Sequence, residues 1–364
     1  MNTTTPRVFI AATRQNDGKT TASLGLIAAL QKYFPRIGYI KPVGQRFVQI
    51  EEQKIDEDSV LMDAVYQLNT PLANMSPIAV EPAFTRKYLT HANNEALVKK
   101  IEHSFDRVAW EKDFVLCEGS GHAGVGSVFD LSNAQVAKTL GCKVIIVSQG
   151  GIGKPIDEVC LNQALFEKEG VEIIGVIINK VHEEKIPEIT RFVRSGLKRK
   201  GLDLLGVLPH ERILAHPTVD LIRDEFHAEL LNQATTLDTL VEDVVVGAMG
   251  VENARRFFQR GTLLITPGDR EDILLAACAA TAAQPDDQMA GIVLTGGLRP
   301  GENVLAALRA LPIPVLLAKP DSYQVASKVN NLTVKTRPTD ARKIALIRDI
   351  VARHINVKKI VESL

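Results

Sequence analysis

No sign of charge dominates this chain: Lys plus Arg and Asp plus Glu number 43 each, so the formal net charge is zero. The basic excess that would engage nucleic acid or an anionic membrane surface is missing, and any phosphate binding has to come from a local site. Cysteine is sparse as well. Cys117, Cys142, Cys160 and Cys278 lie far apart, three of them inside apolar runs. That pattern points to buried free thiols in a reducing cytosol and excludes a disulfide framework or a zinc site. No apolar run reaches the ~18 residues of a membrane span, and Met1 to Pro6 carries no basic stretch of the kind that opens a signal peptide. A cytoplasmic protein is expected, with neither nucleic acid nor membrane as partner. At 364 residues the chain has room for two or three domains and a large core.

What is present is organised around Ala12-Thr13-Arg14-Gln15-Asn16-Asp17-Gly18-Lys19-Thr20-Thr21. An apolar run, Val8 to Ala11, precedes it and an apolar helical pattern follows, so it reads as strand, phosphate loop and helix. A loop closing in Gly-Lys-Thr at a helix start exposes unpaired backbone N–H groups and the positive end of the helix dipole to polyphosphate. Lys19 would reach the β- and γ-phosphates, Thr20 would hold Mg²⁺ through its hydroxyl, and Gly18 would let the backbone approach the oxygens. Thr13 stands where the usual pattern has its first glycine, and Ala12 where a longer version has it. Asp17 brings a negative charge to the proposed anion site, so its carboxylate must face outward, the metal or the protein.

Short β-branched runs then alternate with longer helical patterns, which predicts an α/β fold with a parallel sheet and crossover helices. Strands are expected over 8–12, 38–43, 114–118, 144–148, 173–179 and 204–208, and helices near 19–33, 56–68, 94–109, 132–140, 154–169 and 186–200. Ligands of such sheets gather at strand carboxyl ends. There the sequence places Lys41, a candidate phosphate or carboxylate binder, and Glu118, delivered by an apolar run into Gly119-Ser120-Gly121-His122. Asp58 opens the second helix as either a metal ligand or a plain helix-start acid. Asn179 could read an adenine edge, and His122 is a candidate base. From about residue 240 the alternation resumes, with strands at 262–266, 290–295 and 314–318 and helices at 270–282, 302–310, 322–330 and 340–355.

Taken together these residues resemble dethiobiotin synthetase, an ATP-dependent carboxylating ligase of the P-loop class. Its Gly-Thr-x-x-x-x-Gly-Lys-Thr loop is matched by Ala12 to Thr20, its Lys-Pro-Val by Lys41-Pro42-Val43, its Asp-Ala by Asp58-Ser59, its Glu-Gly-Ala-Gly-Gly by Glu118 to His122, and its nucleotide-side Asn by Asn179. The chain is more similar still to the non-catalytic front half of long phosphate acetyltransferases. There, such a domain is followed by a DRTGG domain, represented here by Asp269-Arg270 and Thr295-Gly296-Gly297. The resemblance implies a P-loop nucleotide-binding domain at 1–225, a connecting segment at 226–247 and a smaller α/β DRTGG domain at 248–364. It implies ATP and Mg²⁺ as cofactors: Thr13, Asn16, Asp17, Gly18, Lys19, Thr20, Thr21 and Asn179 at the nucleotide, and Thr20, Asp58 and Glu118 at the metal. A homo-oligomer is also implied.

Two functions stay open. One is a nucleotide-responsive regulatory module, favoured by the second domain, which no simple ligase needs. The other is a ligase that phosphorylates a carboxylate or carbamate, using Lys19, Lys41 and Glu118 on an unknown substrate. Asp269, Arg270, Thr295, Gly296 and Gly297 lie at strand carboxyl ends, and serve equally well as an effector site or as architecture.

Overall fold

The computed structural model describes residues 1–233, 236–283, 287–332 and 334–364. They form two compact units, one of residues 1–210 with 336–364 and the other of residues 211–335.

The first unit is built on six parallel strands: β1 (Arg7–Ala12), β2 (Ile37–Ile40), β3 (Phe114–Glu118), β4 (Lys143–Gln149), β5 (Ile173–Val181) and β6 (Leu204–Pro209). Their order across the sheet is β6-β5-β4-β1-β3-β2. β1 and β3 have no exposed residue, as a sheet covered on both faces requires. The crossovers carry α1 (Lys19–Leu30), α2 (Glu57–Tyr66), α3 (Asn94–Ala109), α4 (Asn133–Thr139), α5 (Gly153–Lys168) and α6 (Ile186–Lys198). The expected strand 38–43 is cut short. Lys41 turns away so that its N–H donates to Met75 O at 2.8 Å, and Pro42 has no N–H to continue the ladder. Val43–Gly44 then pairs with Ile78–Ala79 outside the main sheet. The polar stretch that follows is a hairpin, Phe47–Ile50 with Gln53–Asp56.

The second unit has its own five-stranded sheet, formed by β7 (Glu229–Leu230), β8 (Asp243–Val246), β9 (Thr262–Pro267), β10 (Gly291–Thr295) and β11 (Val315–Leu317). The order is β7-β11-β10-β9-β8, parallel except for β7. Side chains alternate between two apolar clusters: Leu264, Ile292 and Leu294 join one, and Leu263, Ile265 and Val293 the other. Both faces are therefore covered. The longer helices are α7 (Val219–Phe226), α8 (Glu271–Ala283), α9 (Glu302–Arg309) and α10 (Ser322–Asn330).

The expected domain bounds differ from these units in two places. The segment 226–247 is no linker: apart from 234–235, which lie outside the described residues, it supplies both outer strands of the second sheet, β7 and β8. The chain end is not part of the second unit either. The helix α11 (Ala341–His354) returns to the first, its apolar face of Ile344, Ile347, Ile350 and Val351 lying on α1. Gly25 makes this possible, because a Cβ there would collide with the Val351 side chain. Beyond it, Ile355 bridges to Gly206 of β6 and Lys143 Nζ donates to Ser363 O at 2.8 Å. The helix also stops at His354, and a further short helix, Val357–Glu362, follows. Of the cysteines, Cys117 and Cys142 are buried as expected, while Cys160 and Cys278 are partly exposed; all four are free. Among the described residues no helix is long and apolar enough to cross a membrane.

Candidate nucleotide site

The turn after β1 is shaped by a few polar contacts. Gly18 takes the left-handed conformation, φ 98°, and a Cβ there would collide with the Asn179 amide. Asn179 Nδ2 donates to Asp17 O at 2.9 Å, its Oδ1 accepts from Lys180 N, and Lys180 Nζ donates to Asn16 O at 2.7 Å. The carboxyl end of β5 thus holds the loop from beneath, and Asn179, expected at an adenine edge, is engaged as a support. Asp17 faces the protein. Its Oδ2 accepts from Thr13 Oγ1 at 2.7 Å and from Arg14 N at 2.6 Å, stapling the turn across its base. Its Oδ1 is buried with no hydrogen-bond partner among the described residues. Burial pushes the carboxyl's pKa up, against the bonds from Thr13 and Arg14 that favour its charge.

These side-chain bonds hold the turn while leaving its donors over. The backbone N–H groups of Gly18, Lys19 and Thr20 donate to no other described residue. They point from the first turn of α1, where the helix dipole favours an anion. Lys19 Nζ lies 3.4 Å from Gly121 O, and burial draws its ammonium pKa down, with Glu118 opposing. Thr20 Oγ1 donates to Glu118 Oε1 at 3.1 Å. Thr21 stands half-buried in the same turn, and Asn16 is exposed at its rim.

Beside the loop lies a buried charge cluster. Lys41 Nζ is paired with Asp58, and stands 3.3 Å from Asp56 Oδ1 and 3.6 Å from Glu118 Oε1. Asp56 caps α2 by accepting from Asp58 N at 3.0 Å. Burial disfavours the Lys41 charge, but Asp58, Glu118 and Asp56 more than offset it and raise its pKa. Tyr39 donates to Glu118 Oε2 at 3.2 Å, and its phenol is pushed well up by burial and by Glu118. Two ammonium groups, Lys19 and Lys41, face four buried carboxylates, Asp17, Asp56, Asp58 and Glu118. The surplus is negative, in oxygen donors suited to a hard cation. Among the described residues no three His, Cys, Asp or Glu side chains converge as a ready metal cage.

Sequence reasoning located Lys19, Thr20, Lys41, Asp58 and Glu118, and the structure brings them together. It missed Asp56 and Tyr39. The Asp-x-Asp spacing could have signalled Asp56; Tyr39, on an apolar strand, left no sign. It also missed a pair of imidazoles where β5 and β6 end, His182 and His210, with ring centroids 5.4 Å apart. His122, weighed as a base, accepts from Gly124 N at 3.2 Å through Nδ1 and orders its own turn.

The motifs of the second unit are committed to its own backbone. Arg270 donates to Gly247 O at 3.1 Å, to Met249 O at 3.2 Å and to both carboxylate oxygens of Asp272. Gly296 N donates to Pro320 O and Gly297 N to Ala318 O, at 2.8 and 2.9 Å, and Thr295 Oγ1 meets Ser322 Oγ at 2.7 Å. Both glycines have positive φ, which the turn requires. Asp269 stays exposed beside them.

Against known proteins, residues 6–218 match the family described as AAA domain (AAA_26), and residues 221–332 match the DRTGG domain. A phosphate acetyltransferase of Nitratidesulfovibrio vulgaris is 28% identical over 358 residues, covering 96% of this chain and 50% of that protein. The chain thus spans about half the length of the curated relatives it matches. Among solved structures, a plasmid partition protein from Borrelia burgdorferi bound to AMPPNP is 13% identical, covering 57% of this chain and 88% of that one, with a TM-score of 0.38. The CBS and DRTGG domains of the regulatory region of Clostridium perfringens pyrophosphatase, complexed with the activator diadenosine tetraphosphate, are 22% identical, covering 46% and 78%, with a TM-score of 0.28. On the match over more than half of its length, this chain belongs to the AAA domain family, with a DRTGG domain following.

Proposed function

We propose that the first unit binds ATP with Mg²⁺ and acts as a nucleotide-responsive regulatory module, related to the front half of long phosphate acetyltransferases. The observation that carries this reading is the state of the donors. The N–H groups of Gly18, Lys19 and Thr20 are left over at a helix start, beside a Lys19 ammonium held by Gly121 O at 3.4 Å, inside a turn whose shape other residues maintain. The triphosphate would lie there. Thr20 and Glu118 would hold the metal, with Asp58 behind them on Lys41; when bound, the ion would neutralise phosphate charge. Asn16 and Thr21 flank the same turn, and the rings of His182 and His210 stand at the neighbouring strand ends, where the nucleoside would project. Thr13 and Asp17 hold the loop and do not touch phosphate. Regulation fits because the charge cluster ties the loop, β2, β3 and α2 into one network that a metal nucleotide would re-pair.

The test is thermal melting with and without Mg-ATP. At a hundredfold excess over Kd the parent should gain about 5 °C, and Lys19→Ala should lose most of that gain at the same concentration. Light scattering should show an ATP-dependent change in a homo-oligomer. A melting point indifferent to nucleotide removes the site. Phosphate release in step with an added amine or carboxylate, and absent in Lys19→Ala, would replace regulation by ligase chemistry.

A further inference from the structure

We propose a second anion site, formed by Arg255, Arg256 and Arg260 in the second unit, that takes a polyphosphate chain, free or carried by a nucleotide. A cavity of about 450 Å³ lies among these three arginines, Phe258, Gln259 and Asp287. Its size falls within the roughly 300–1,000 Å³ of small-molecule sites.

Its place in the fold separates it from both motifs of that unit. Arg260 comes just before β9 opens at Thr262, and Asp287 just before β10 opens at Gly291. The cavity is therefore at the amino-terminal end of the sheet, whereas Asp269-Arg270 and Thr295-Gly296-Gly297 follow the same strands at the opposite end. The two lining stretches are tied together: Gly261 N donates to Gln288 O at 3.3 Å, and Ala290 N to Thr262 O at 2.8 Å. Phe258 is buried and anchors the segment, and Gln259 Nε2 donates to Arg256 O at 2.8 Å, closing the turn.

The charge balance of the cavity asks for an anion. Among the described residues, three guanidinium groups within six residues line the cavity with one carboxylate, Asp287. Arg255, Arg256 and Arg260 form no ion pair with any described residue, although the chain as a whole is neutral. Three guanidinium forks offer more donors than one phosphate can accept from, and a chain of phosphates presents oxygens to each. Arg256, one of the lining residues, lies over the exposed ring of the adjacent Phe257, 5.2 Å from its centroid.

The experiment is calorimetric titration of the full chain with inorganic tripolyphosphate, then with ATP. The probes are run on the parent, on Lys19→Ala and on the triple variant Arg255→Ala, Arg256→Ala, Arg260→Ala. Lys19→Ala, which silences the loop of the first unit, should keep tripolyphosphate binding within about twofold of the remaining parental site. The triple variant should lose that site by about tenfold or more while keeping the Lys19-dependent one. Equal affinity for both probes assigns recognition to the phosphate chain alone, and tighter ATP binding at this site adds a contact to the nucleoside; either result supports the site. Since the three arginines are exposed, the triple variant should fold. Asp287→Asn provides a check in the other direction, because removing the lining acid should tighten tripolyphosphate by about threefold. The proposal is overturned if the triple variant binds tripolyphosphate like the parent, if Lys19→Ala abolishes all binding, or if Asp287→Asn leaves affinity unchanged or weaker. The first-unit site stands or falls separately, on the Lys19-dependent heat.

Discussion

The two units carry the same device, a parallel sheet whose strands end in loops rich in glycine and charge, and they use it in opposite ways. At the end of β1, the turn is held by side chains beneath it, Asn179, Asp17 and Thr13, so the amides of Gly18, Lys19 and Thr20 remain available. At the ends of β9 and β10 the motif donors are committed, although the buried Thr266 hydroxyl has no partner among the described residues. The Arg270 guanidinium holds Gly247, Met249 and Asp272, and the amides of Gly296 and Gly297 hold Pro320 and Ala318. The lesson is that position at a strand's carboxyl end permits a ligand site, and unclaimed hydrogen-bonding capacity makes one. In the first unit backbone donors stay open, and in the second Arg270, Gly296 and Gly297 spend theirs on the chain itself.

Four substitutions press on this contrast. The largest effect should come from Lys41→Met, which leaves Asp56, Asp58 and Glu118 without their buried counter-charge; denaturant unfolding should show a loss of about 3–5 kcal/mol. Because the folded state raises the Lys41 pKa, the stability it contributes is fully present below the unfolded-state lysine value of about 10.4, and is lost only as pH climbs from there through the folded-state value. A pH–stability curve that loses the Lys41 contribution between pH 6 and 9, by the order of magnitude expected for one proton, would contradict that pairing.

Next is Lys19, whose role is ligand charge and not packing. Lys19→Ala should weaken ATP binding by about a hundredfold, the magnitude of a charge-assisted contact, with little change in unfolding free energy. Burial lowers its pKa, so ATP affinity in the parent should begin to fall with rising pH before the ordinary lysine range is reached. A flat affinity from neutral pH to that range would show that the ammonium is not at the phosphates.

Arg270→Ala tests the other half of the contrast. It should lower stability by about 1–2 kcal/mol through lost bonds to Gly247 and Met249, and leave ATP affinity where it was. A stability unchanged by this substitution would return Arg270 to the pool of ligand residues. The smallest effect is expected from Asp17→Asn. The amide oxygen can still accept from Thr13 and Arg14, and the loss of negative charge beside the phosphates should tighten ATP by roughly fivefold. Weaker binding would mean that the carboxylate itself contacts metal or nucleotide.

Much of this was legible along the chain, because the signals are local. Apolar runs of strand length, helical periodicity and the Gly-Lys-Thr turn each lie within a dozen residues, and the strands at 114–118 and 204–208 fall where the pattern puts them, to within a residue. Distance between residues in the sequence hid the rest. The pattern over 341–354 shows a helix with one apolar face, yet an apolar face does not name its neighbour. Only the small contact made by Gly25 and the shape of α1 bring that helix to the first unit. Likewise β7 and β8 are two and four residues long, too short for periodicity to register.

By itself, then, the amino-acid order determined that this is an α/β protein with a phosphate loop at residues 12–21, since a turn of that kind is specified by the residues within it. Tertiary structure alone decided that Asp56 and Tyr39 join Lys41 and Glu118, that Asn179 supports the loop, and that the donors of the second unit's motifs are already taken. Hydrogen bonds and buried charges are satisfied by whichever partners folding brings within about three ångströms, and those partners come from strands far apart in the chain.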